Sequence, residues 1–309
     1  MKRIILTSFI IFLALQLFAQ VKPTEKVVYK EIGDVKLKHH IFIPKEQDKS
    51  RGAVVLIHGG GWNSGSPKAF YLQAQHLADR GLVVFSPEYR LRKKHGTTIY
   101  ECVEDTQEAI AFVRKNAEKY GIDPNKIAVG GGSAGGHLAL SAAFIDPLTN
   151  KLNQKDYAPN LLVLFNPVLG TSKEGYGHRK VAEELSAKGI NWETFSPRQN
   201  IDASFPPMLI QLGDHDKVTS IPLANDFESR CVGANVNCKL MIYKGAEHSF
   251  FNLGYGKKQG YPKGTVVNRW YYDTLQEMDN FFVENNYLST PFTVEIPADA
   301  IYPIRKEHE

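Results

Sequence analysis

The chain has 309 residues, 43% hydrophobic and 23% charged, with a formal net charge of +4. That is an ordinary globular composition, long enough for one large core. Its near-neutral balance argues against nucleic acid as the general partner.

The first stretch stands apart. Met1-Lys2-Arg3 is basic, Ile4 to Phe18 is apolar and uncharged, and Ala19-Gln20 precedes the polar run Lys22-Pro23-Thr24-Glu25-Lys26. Residues 1–20 read as a secretory signal peptide cleaved near Ala19 or Gln20. The apolar run is short for a spanning helix; an uncleaved anchor is the alternative. Losing Lys2 and Arg3 lowers the formal charge by two, from +4 to +2. The expected mature chain, 21–309, is a single domain in a secreted or periplasmic setting, with no membrane partner after cleavage.

In chain order, Lys26–Tyr29 and Val35–Pro44 alternate in polarity around Gly33-Asp34, as antiparallel strands do. Gly52–Ile57 is a continuous apolar run, a buried strand. A helix is expected over Ala69–Arg80, stopped by Gly81, then a strand over Leu82–Phe85 and a helix over Tyr100–Tyr120 that ends at Gly121. Lys126-Ile127-Ala128-Val129 is a strand and Leu138–Phe144 a small-residue helix. Leu161–Phe165, Met208–Leu212 and Lys239–Tyr243 read as further strands, with helices over Leu223–Arg230 and Val267–Asn285. Residues 170–200 are polar and irregular, in the place of a cap, and 287–309 form an extended tail. Strands alternating with helices give an α/β fold, a mostly parallel central sheet covered on both faces.

Between the Lys126–Val129 strand and the Leu138 helix lies Gly131-Gly132-Ser133-Ala134-Gly135, a G-x-S-x-G pattern. On a strand–turn–helix this is a nucleophile elbow, which holds the serine in a strained conformation with Oγ exposed and a helix N-terminus aimed at the site. A phosphate loop fails, because no Gly-Lys-Ser/Thr follows. His58-Gly59-Gly60-Gly61-Trp62 directly follows the Gly52–Ile57 strand. Glycines there turn backbone N–H groups into a cavity, the HGGG-type oxyanion hole that pairs with the N–H after the nucleophile, here Ala134. The base comes last in chain order. Of ten histidines, His248, in Glu247-His248-Ser249-Phe250 after the last strand, has the right setting. The acid lies between, in Gly213-Asp214-His215-Asp216-Lys217-Val218, where Asp216 is favoured over Asp214 because it stands further out on its loop. His137 is expected to pack structurally and His58 to orient the glycine loop.

These motifs, with Glu88-Tyr89-Arg90-Leu91 and Gly121-Ile122-Asp123-Pro124, resemble the α/β-hydrolase superfamily, in its hormone-sensitive-lipase-like and bacterial feruloyl/acetyl esterase branch. The likeness covers roughly residues 26–285. It implies an α/β-hydrolase fold with a small polar cap and a serine carboxyl-ester hydrolase with no cofactor and no metal. It also implies Ser133 as nucleophile, Asp216 and His248 as partners, and Gly60, Gly61 and Ala134 as oxyanion donors. Trp62 and Tyr89, inside these motifs, are candidate substrate contacts. The Asp214 position is often Thr or another small residue in the family, which keeps the two acids in competition.

The substrate is less legible. The insert carries Lys173, Glu174, His178, Arg179, Lys180, Glu183 and Glu184, unlike the apolar lid of an interfacial lipase. Tyr176, Trp192 and Phe195 either stack on a ring or pack the insert. Arg90, Arg92, Lys93, Lys94 and His95 either are solvated or meet an anionic polysaccharide. Export with an esterase site points to a small ester or an acylated oligosaccharide or polysaccharide as substrate; the alternatives are an amidase or peptidase of the same fold, or a lipase. A non-catalytic binding member would normally lack Ser or His. Cys231 and Cys238, close in sequence in an exported chain, are a candidate disulfide; Cys102 reads as a buried thiol.

Overall fold

A computed structural model describes residues 21–45, 51–256 and 266–304. The expected signal peptide lies outside the described residues. The strands are β1 (Glu25–Ile32), β2 (Val35–Phe42), β3 (Arg51–Ile57), β4 (Val83–Pro87), β5 (Ile122–Gly132), β6 (Leu161–Phe165), β7 (Met208–Gly213) and β8 (Cys238–Tyr243), in one sheet of order β1-β2-β4-β3-β5-β6-β7-β8. The β1–β2 and β2–β4 pairs are antiparallel; every pair from β4 through β3 and onward to β8 is parallel.

The alternation of side chains along each strand sorts the core into two layers. Val55, Ile57, Val129, Leu164 and Ile210 face one side, where helices α2 (Ile99–Lys115), α3 (Ala134–Phe144) and α5 (Ile221–Gly233) cover them, and α4 (His178–Ser186) adds Val181 and Leu185. Val54, Leu56, Ala128, Val163 and Leu209 face the other, under α1 (Tyr71–Asp79) and α6 (Arg269–Glu284). The continuous apolar runs of β3 and β6 thus have a physical reason, since both faces are buried.

Two elements differ from expectation. The cap is not irregular: α4 repeats Val181 and Leu185 four residues apart, which anchors one helical stripe in the core while Arg179 and Glu183 stay outside. The last helix begins at Arg269, not Val267, because Asn268 caps it through its side chain and Val267–Asn268 forms a short strand, β9. The tail is extended, as expected, and docked: Leu288 and Val294 join the core, and Ala300–Ile301, β10, pairs in parallel with β9.

The expected Cys231–Cys238 bridge is not formed. Both are free thiols: Cys231 is buried on α5, and Cys238, half-buried, opens β8.

Candidate active site

The parallel register brings the strand ends level: Ile57 pairs with Gly131, Gly132 with Phe165, Phe165 with Gln211, and Gly213 with Tyr243. Whatever follows each strand therefore meets at one edge of the sheet, the carboxyl edge where open α/β sheets hold their ligands. After β3 comes the glycine loop, after β5 Ser133, after β7 Asp216 and after β8 His248.

Ser133 adopts φ 56° and ψ −123°, a strained conformation for a residue with a side chain. The surroundings hold it there. Its N–H donates to Phe165 O, and its carbonyl accepts from His137 N and Val168 N. Helix α3 leaves so steeply that a Cβ on Gly135 would lie 2.1 Å from Ile57 O, so only glycine fits. Ser133 Oγ lies 2.9 Å from His248 Nε2. His248 Nδ1 donates to Asp216 Oδ2 at 2.7 Å, and the other oxygen, Oδ1, accepts from Val218 N and Thr219 N. The Asp216 carboxylate has no solvent exposure, whereas the His248 ring keeps 22%. Such a chain of bonds fixes the imidazole tautomer with Nε2 open towards the hydroxyl. Asp214 does different work: its Oδ1 accepts from Gly245 N at 2.6 Å and closes the turn after β8.

The glycine loop curls back on itself, with Gly60 O accepting from Asn63 N and Ser64 N. Gly60 has φ 125°, and a Cβ there would meet Ser64 O at 1.9 Å. Gly60, Gly61 and Ser133 line one cleft of about 460 Å³ with His248. Ala134, the first residue of α3, has no intrahelical acceptor for its N–H. His58 stays outside the cleft as a support. Its Nδ1 donates to Gly59 O, and burial pushes its ring down to about 4, against that bond, so it is neutral.

Trp62 and Tyr89 are corrected as substrate contacts: both are buried, and neither lines the cleft at Ser133. Tyr89 stacks on His58, ring centroids 4.4 Å apart, and donates to His58 O. Trp62 turns inward at φ 57° and packs edge-on against His137. His137 is a core residue that donates through Nε2 to Phe195 O. Of the cap aromatics, Tyr176 reaches the cleft, its hydroxyl near Gly61, while Phe195 is buried and Trp192 packs on His178. The basic cluster divides: Lys93 and Lys94 are exposed, while Arg90, Arg92 and His95 are half-buried. Arg90 binds Asp105 and Glu104, Arg92 binds Glu184 of the cap, and Arg92 N and Lys93 N hold the carbonyls of Trp62 and Asn63.

Sequence reasoning missed Asn166, Phe70 and Phe251. Asn166 directly follows β6 and touches the His248 loop. The rule that found the other residues, a polar residue just past a buried strand, applies to it equally. Phe70 and Phe251 line the cleft with stacked rings 5.6 Å apart. Among the described residues no cluster of His, Cys, Asp and Glu is arranged to hold a metal, and no helix is long and apolar enough to cross a membrane.

Comparison with known proteins agrees with this fold. The BD-FAE family model matches residues 40–163 and the dienelactone hydrolase family model residues 180–281. A thermophilic esterase, Est2, from Thermogutta terrifontis superposes with a TM-score of 0.77 at 34% identity, over 88% of this chain and 97% of that one. The chain belongs to the α/β-hydrolase superfamily, in its hormone-sensitive-lipase-like esterase branch. The esterase was solved with propionate bound and also with butyrate bound. Arylacetamide deacetylase of Oryctolagus cuniculus is 37% identical over 134 residues, which are 41% of this chain and 33% of that protein. Acetylxylan esterase of Xylanibacter ruminicola is 26% identical over 253 residues, 77% of this chain and 48% of that protein. The chain thus spans from a third to about half the length of these curated relatives.

Proposed function

We propose that this hydrolase is a secreted serine carboxylesterase that removes short acyl groups, with acylated carbohydrate as its substrate class. The observation that carries the reaction is the continuous line from Asp216 through His248 to Ser133 Oγ, with links of 2.7 and 2.9 Å, at a strained elbow beside a glycine loop. Ser133 attacks the ester carbonyl while His248 Nε2 takes its proton. Asp216 orients the ring and stabilises the imidazolium without taking the proton. The N–H groups of Gly60, Gly61 and Ala134 receive the charge that develops on the carbonyl oxygen. The alcohol leaves with the proton from Nε2, and water, activated by the same nitrogen, releases the acid from the acyl-enzyme.

The short acyl chain is supported by the walls of the cleft, where Phe70 and Phe251 stack, and by the propionate and butyrate complexes of the Thermogutta esterase. The carbohydrate substrate is supported by the likeness to an acetylxylan esterase and by the basic-then-apolar pattern of residues 1–20, which reads as an export leader. The likeness to a deacetylase favours a second reading, amide cleavage by the same residues. Ser133→Ala is the test. Turnover of nitrophenyl acetate by the folded variant should fall by several orders of magnitude; retention of more than about a tenth of kcat would overturn the nucleophile. Matched acetyl esters and acetamides on one sugar separate the two readings, with kcat/KM expected to favour the ester.

A further inference from the structure

We propose that Asn166 is a positioning residue for His248, which keeps the imidazolium proton directed at Ser133 Oγ and the leaving oxygen. This rests on the reading of Ser133, His248 and Asp216 given above.

Asn166 is completely buried and sits at φ 37°, in the left-handed region, one residue past the end of β6. Its N–H donates to Gln211 O, which extends the β6–β7 ladder and fixes the backbone to the centre of the sheet. The side chain then bridges to the histidine loop. Oδ1 accepts from Ser249 N at 3.0 Å, and Ser249 is itself held at φ 76°. A backbone N–H can only donate, so the amide oxygen must face it and the NH₂ must face the other way. That way lies His248 Nε2, at 3.4 Å.

The consequence follows from donor counting. In the neutral ring Nε2 offers one lone pair, and Ser133 Oγ at 2.9 Å is the nearer donor to it. Once the serine proton has moved to Nε2, the ring nitrogen becomes a donor and meets another donor on the Asn166 side. The proton has no acceptor there, so it stays directed at Oγ and then at the departing alcohol oxygen. Among the described residues the titratable partner of the ring is Asp216, on the Nδ1 side, so the Nε2 side carries no charge to hold the proton. The same amide pins Ser249 and thereby the loop that carries the base.

Asn166→Asp keeps the acceptor for Ser249 N but places an acceptor where the NH₂ was. The acidic limb of the kcat/KM profile for nitrophenyl acetate should move to higher pH by about one unit or more, because a carboxylate beside an imidazolium favours the charged ring. At pH 7 kcat should fall about tenfold or more, with KM changed by less than about threefold. Asn166→Ala removes the amide altogether and should also cost mainly kcat. A purely structural role would lower the melting temperature of Asn166→Ala and leave the kcat and KM of the folded variant where they were. If Asn166→Asp folds and keeps the parent limb and kcat within about threefold, the inference is overturned. Should that variant not fold, a folded Asn166→Ala with kcat within about threefold overturns it equally. Ser133→Ala measured alongside separates the failures. If it retains turnover, the reading of the site falls; if it is inactive while Asn166 proves neutral, only the positioning role falls.

Discussion

At the scale of single residues, two carboxylates two positions apart have opposite surroundings. Asp216 spends one oxygen on two backbone N–H groups and the other on the His248 ring, so its rotamer is held without help from substrate. Asp214 is tied to Gly245. Asp216→Asn replaces an acceptor with a donor towards Nδ1 and favours the wrong imidazole tautomer, a change that costs about 10⁴ in kcat in another serine hydrolase. A loss of that order is expected here, with Asp214→Asn much milder, reading through the turn after β8. Steady-state kinetics on both folded variants check this, and the reverse ranking would move the acid to Asp214.

At the scale of elements, α1, α6 and the tail are joined through one buried carboxylate. Asp279 on α6 has no exposure; Arg80 donates to both its oxygens, and His76 also contacts it. Burial alone would raise its pKa, but the bonds from His76 and Arg80 outweigh that and hold the carboxyl below its usual range. Arg80 also donates to Thr290 O, which clips the tail to the same point. Asp279→Ala would leave Arg80 unpaired in a half-buried place, and the expected loss is about 3–5 kcal/mol, measured by urea denaturation. The cleft makes a different prediction. Its apolar lining is short, Ala69, Phe70, Val218 and Phe251 among glycines and polar groups, so an acyl chain of a few carbons covers it and further methylenes gain little of the about 0.8 kcal/mol available per buried methylene. Across a nitrophenyl ester series, kcat/KM should be highest at acetyl to butyryl and fall by octanoyl; a maximum at octanoyl or beyond would indicate a lipase.

At the scale of the whole molecule, stability depends on three rings kept neutral by the core. Burial pushes His39 down to about 3 and His58 and His137 each to about 4, against hydrogen bonds to Ala109, Gly59 and Phe195 that act the other way. An unfolded histidine protonates near 6.5. Between 6.5 and about 4 the unfolded chain therefore binds protons that the folded chain refuses, so stability falls as pH falls, by up to about 1.4 kcal/mol per pH unit for each ring. Above 6.5 this contribution is constant. Glu101 acts lower. Burial raises it, but bonds from Lys188 and Thr98 prevail and bring it to about 2, so its contribution is lost only as pH drops below about 4.5. Denaturant unfolding at pH 7.5, 6 and 5 should show a decline of several kcal/mol. A flat profile over that range would mean that the rings are not buried neutral.

What the sequence by itself determined is what local sterics demand. The elbow needs glycine on either side of Ser133, the tight loop after β3 needs glycine behind a buried strand, and strands covered on both faces need unbroken apolar runs; each leaves a mark within ten residues. Chain order then singles out His248, and the parallel alternation implies one sheet edge for all of them. Only the tertiary structure decided where side chains of similar type point. Asp216 reaches the ring and Asp214 the turn because the loop after β7 passes beside the end of β8, a register between strands that no local pattern encodes. Tyr89 reads as a contact beside the glycine loop, yet it stacks beneath it, since β4 and β3 are neighbours in the sheet. Asn166 carries no motif at all, and its meaning appears when the ends of β6 and β8 stand at one edge. The tail shows no periodicity because it pairs through two residues with β9, more than thirty positions earlier. Contacts of that range are set by packing, and packing is a property of the whole chain.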